Sequence, residues 1–133
     1  TRRSSDLDIQ INRGNFISNN SIVPKPGLNS KYGIGTIITV NTGKTLTIQP
    51  GVTMKFLYGY YSLIIQGTLI AQGTVNDSIK FIGTQNAYSG AYSGYINITS
   101  SSTNSIFDYV VMDSLYGNYS GEGCLRSIPS INS

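Results

Sequence analysis

The chemistry open to this 133-residue chain is narrow: six carboxylates, one cysteine and no histidine. Without an imidazole there is no Ser-His-Asp or Cys-His constellation, no histidine general base and no histidine-ligated zinc. The carboxylate pair nearest to a catalytic spacing is Asp108 and Asp113, in the run Ser105–Asp113. Five residues along one strand is an odd offset, which sends the two side chains to opposite faces rather than to the two sides of one scissile bond. No D-x-[DN]-x-[DN]-G calcium loop occurs. The expectation is therefore a protein that is not an enzyme, with no catalytic residues, no cofactor and no metal. Cys124 has no second cysteine to pair with in its own chain and reads as a small apolar residue, with pairing between chains as the alternative.

Tyrosine is the residue type in excess, ten against four phenylalanines and no tryptophan. It clusters at Tyr58, Tyr60 and Tyr61 and again at Tyr88, Tyr92 and Tyr95. An apolar ring with a polar tip suits an exposed contact surface, either stacking on sugars or packing against another protein. Four glycosylation sequons begin at Asn19, Asn76, Asn97 and Asn118, and in a chain so rich in Asn, Ser and Thr they carry no functional weight.

The elements that must hold these residues are strands. Ile and Val number 24 against 11 for Leu and Ala, and β-branched side chains favour the pleated surface of a sheet over a helix. The chain is read as all-β, and no apolar run is long enough to span a membrane as a helix. Residues 1–31 hold five bases against two acids, and residues 32–133 hold four of each, so the whole net charge of +3 lies in the first stretch. A neutral body without a basic stripe argues against nucleic-acid binding.

Three regions follow. Residues 1–31 form an extended N-terminal arm: Leu7, Ile9 and Ile11 alternate with polar residues as one amphipathic strand, and residues 13–31 read as a Pro/Gly-rich loop or linker. Residues 32–113 form the body, with strand runs at 36–40, 45–48, 52–56, 62–66, 68–72, 78–82, 95–99 and 105–113. Their separators are too short for a sandwich and look like corners. Residues 114–133 read as the start of a further coil or as a subunit contact. Leu46, Ile48, Val52 and Met54 are echoed seventeen residues later by Leu63, Ile65, Leu69 and Ala71, which points to a solenoid whose stacked coils share one core.

The runs Thr45-Leu46-Thr47-Ile48-Gln49-Pro50-Gly51-Val52, Leu63 to Thr74 and Ile79-Lys80-Phe81-Ile82-Gly83 resemble the opening coils of bacterial right-handed parallel β-helix proteins of the pectate-lyase-like superfamily. The likeness covers about residues 36–113 and departs from the family in carrying tyrosine, in the segment Tyr92-Ser93-Gly94-Tyr95-Ile96, where a tryptophan is usual. It implies a short right-handed parallel β-helix of about three coils, secreted or on the cell surface. The hexads Leu63–Thr68 and Leu69–Thr74 leave a left-handed helix as the alternative. A short solenoid presents unpaired strand edges. The functional expectation is an extracellular structural subunit whose partners are copies of itself, joined through open ends and the Leu7/Ile9/Ile11 strand, as far as a filament. The alternative is a polysaccharide-binding adhesin fragment of a larger surface protein, using the tyrosines.

Overall fold

The computed structural model describes residues 9–11, 16–17, 19–27, 31–57, 61–84, 94–115, 125–127 and 131–132. Fifteen strands and no helix occur among them. In chain order they are β1 (Ile9–Ile11), β2 (Phe16–Ile17), β3 (Ser21–Val23), β4 (Tyr32–Ile34), β5 (Ile38–Val40), β6 (Thr45–Ile48), β7 (Thr53–Phe56) and β8 (Leu63–Ile65). They continue as β9 (Thr68–Gln72), β10 (Ile79–Ile82), β11 (Ile96–Ile98), β12 (Ser105–Asp108), β13 (Val110–Asp113), β14 (Leu125–Ser127) and β15 (Ile131–Asn132).

Every third strand belongs to the same sheet. The first sheet runs β1-β4-β7-β10-β13, the second β2-β5-β8-β11-β14 and the third β3-β6-β9-β12-β15, with all pairings parallel. Three consecutive strands make one rung, and five rungs stack into a parallel β-solenoid.

This corrects the expectation of about three coils with an extended arm. β1, β2 and β3 are hydrogen-bonded to β4, β5 and β6 as the first rung, and two of them lie in the stretch read as linker. β2 and β3 sit among Asn, Ser, Gly and Pro without the alternation that marks β1 in sequence. The run 105–113 is also two strands, in different sheets, because Tyr109 turns the chain with a φ of 49°. The seventeen-residue echo is not the coil. Successive ladder partners Ile9, Tyr32, Met54, Phe81 and Met112 lie 23, 22, 27 and 31 residues apart. The echo compares strands of different sheets that share the same in-out alternation, for Leu46 pairs with Leu69 and Leu63 pairs with Ile38 and Ile96.

Alternation then builds the interior. β6 and β7 alternate half-buried and buried residues, and so do most of the central strands. Inward side chains stack in columns along the axis: Tyr32, Met54 and Phe81 in the first sheet; Val40, Ile65 and Ile98 in the second; Ile48 and Ala71 in the third. The small Ala71 sits beside Phe107, which packs against the core. Corners are as tight as the columns. A side chain at Gly67 would strike the carbonyl oxygens of Lys44 and Asn41, and one at Gly94, whose φ is 89°, would come within 2.5 Å of the Phe56 ring.

Candidate functional site: corners and outermost rungs

Polar groups along the stack are spent on holding rungs together. At the corner leading from the third sheet to the first, the Lys25 N–H donates to Gln49 Oε1 at 3.1 Å, and the Gly51 N–H donates to the Asp77 carbonyl at 3.0 Å. Lys25 Nζ reaches Asp77 Oδ1 at 3.4 Å with both side chains half exposed, passing over Gly51. Three successive rungs are thereby tied at one corner. The corner from the second sheet to the third is tied by amide and hydroxyl groups. Asn20 Oδ1 accepts from the Thr45 N–H at 2.9 Å, Thr68 Oγ1 donates to the Thr103 carbonyl at 2.7 Å, and Ser101 Oγ donates to the Gln66 carbonyl at 2.9 Å. Inside this corner Ser102 and Ser105 are fully buried with their hydroxyls 3.0 Å apart, and Ser105 Oγ accepts from the Leu69 N–H at 3.0 Å. Ser62, equally buried, has no partner for its hydroxyl among the described residues. Tyr32 donates its hydroxyl to the Pro24 carbonyl at 2.6 Å, and burial pushes its phenol above the usual tyrosine value.

The sequence-expected residues fall as follows. Ile9 and Ile11 lie in β1, an outermost strand, in register with Tyr32 and Ile34; Leu7 lies outside the described residues. Tyr61 is half-buried and packs against the core, and Tyr95 is half-buried with its carbonyl accepting the Leu63 N–H at 3.0 Å. Tyr58, Tyr60, Tyr88, Tyr92 and Cys124 lie outside the described residues. Asp108 and Asp113 are both exposed and end strands of different sheets. The arrangement thus brings together no carboxylate pair at these positions.

Sequence reasoning missed Tyr109, the exposed tyrosine among the described residues at 54%, because it stands outside both clusters. It also missed Val111, on β13. Both belong to the last rung boundary, where half-buried Val110, Met112 and Leu115 also pack on the core. Among the described residues, β1, β2 and β3 on one side and β13, β14 and β15 on the other have ladder partners on one edge only. A one-sided parallel strand offers its remaining N–H and C=O groups to another strand.

Comparison with protein-family models, curated proteins and solved structures finds no match to this chain.

Proposed function

We propose that this chain is a non-enzymatic, extracellular structural unit, a right-handed parallel β-helix that associates with copies of itself through its outermost rungs, as far as a filament. The observation that carries the reading is the one-sided pairing of all three sheets at both outer rungs among the described residues. A rung cannot bury its inner face alone, so a stack gains by adding another. The right hand follows the strong preference of parallel strand crossovers. Secretion follows from the resemblance in the body to secreted and surface β-helix proteins. The absence of histidine from the sequence, and hydroxyls spent on inter-rung bonds, support a structural rather than a catalytic role.

The test is sedimentation velocity with negative-stain microscopy of the purified chain across a concentration series. Multimers or fibres that grow with concentration are expected. A monomer at every concentration would overturn the reading.

A further inference from the structure

We propose that the outer face of the third sheet is an ice-binding surface, whose threonine and isoleucine side chains form a regular array that takes the ordered water of an ice face as its ligand. The array lies on the side of the stack, away from the outermost rungs, and stands or falls independently of self-association.

Register makes the array. Thr45 pairs with Thr68, and Ile22, Thr47, Ile70 and Ile106 follow one another across β3, β6, β9 and β12. Their strand neighbours Leu46, Ile48, Leu69 and Ala71 are buried, so these six positions point outward. Ile22 is 64% exposed and the other five are half-buried. Four rungs thus share one column, with the threonine pair beside it in the two central rungs. Three sheets closed round one interior hold their strands against the twist that a free sheet takes. The rows repeat about 4.8 Å from rung to rung and about 6.6 Å between outward residues of one strand. Water oxygens on the faces of hexagonal ice repeat at comparable intervals in two directions.

The residue types suit that ligand. Threonine and isoleucine both branch at Cβ, so χ1 is stiff and little rotamer freedom is lost on contact. Thr68 Oγ1 donates to the Thr103 carbonyl at 2.7 Å, which fixes the side chain and leaves its oxygen to accept from water. Hydroxyls anchor water molecules while the methyl groups between them hold the layer in place.

Charge and area set aside other occupants. The outward positions of β3, β6 and β9 carry no charged residue, and Asp108 comes only at the end of β12, whereas the outer face of the first sheet carries Lys55 and Lys80. Neither column holds an aromatic ring for a sugar to stack on. Four strands with two outward positions each cover roughly 250 Å². That is well under the about 800 Å² per partner of a stable protein interface. On a periodic solid every side chain of the array meets an equivalent site at once.

The experiment grows ice slowly from a dilute solution of the full chain, measures the protein in ice and in melt, and follows ice-grain growth in a thin frozen film. The wild-type chain is expected to be enriched in the ice at least tenfold over a control protein of similar size and to slow grain growth. Thr47→Lys and, separately, Ile70→Lys should abolish both effects with wild-type circular dichroism. Val111→Lys, on the outer face of the first sheet, should change neither. Exclusion of the wild-type chain from ice overturns the inference, and so does enrichment that persists in a folded Thr47→Lys variant. Multimers that Ile70→Lys converts to monomers, without ice enrichment of the wild type, would assign the face to a second copy and overturn it equally. The wild-type readings decide the matter even where a variant does not fold.

Discussion

β10 and β13 are neighbours in one sheet and are built alike, yet they are buried very differently. Ile79 and Phe81 of β10 are fully buried, while Val110 and Met112, in register with them one rung on, are only half so. Residue type does not explain this. Among the described residues β10 has a strand on each edge and β13 on one edge, so the same alternation of apolar side chains closes a core in one rung and leaves it half open in the next. In a solenoid, burial is lent by the neighbouring rung.

The sharpest way to break the comparison is to empty the two columns in turn. Phe81→Ala should cost about 3–5 kcal/mol in denaturant unfolding, since the ring is enclosed on all sides. Met112→Ala should cost about 1–2 kcal/mol in the dilute chain, because a half-buried site loses less transfer energy and leaves a smaller cavity. Equal losses would mean that β13 is as enclosed as β10.

A second contrast is between two buried serines. Ser105→Ala should cost about 1–3 kcal/mol, because it takes the acceptor from the Leu69 N–H in a site without solvent. Ser62→Ala should be neutral or stabilising by up to about 1 kcal/mol, since its hydroxyl is desolvated without a partner. Thermal melts of the two variants order them directly.

Tyr32 links rung-to-rung bonding to pH. Its buried phenol holds its proton at a higher pH than the unfolded chain's tyrosine does. Its share of stability is therefore whole below pH about 10 and falls as pH rises through the folded-state value. Tyr32→Phe should cost about 1 kcal/mol at neutral pH, through the bond to the Pro24 carbonyl, and should flatten the alkaline loss in melts from pH 8 to 11. The smallest effect belongs to the outer corner. Lys25→Met or Asp77→Asn should change stability by less than about 1 kcal/mol, because both side chains of that pair are half in solvent.

Much of the central solenoid was legible in the sequence. The runs 45–48 and 68–72 coincide with β6 and β9, and five others match within two residues at each end, because four or more residues of alternation announce a half-buried strand. β2, β3 and β4 were not legible. β2 and β3 are flanked by Asn, Ser, Gly and Pro and β4 carries Gly33 at its centre, so the sequence around them gives no period to count. Nor was the corner at Tyr109, where a non-glycine residue takes a positive φ of 49°.

Composition and alternation by themselves determined that the chain is all strand, which side chains face inward along the longer runs, and that imidazole chemistry is absent. Tertiary structure alone decided which strand lies on which. Parallel partners here stand 22 to 36 residues apart, joined by corners and loops of unequal length, from Tyr32 and Met54 to Ile70 and Ile106. No short turn fixes such a register. It is set where columns of side chains from distant parts of the chain meet around one shared interior, and that meeting exists only in the folded stack.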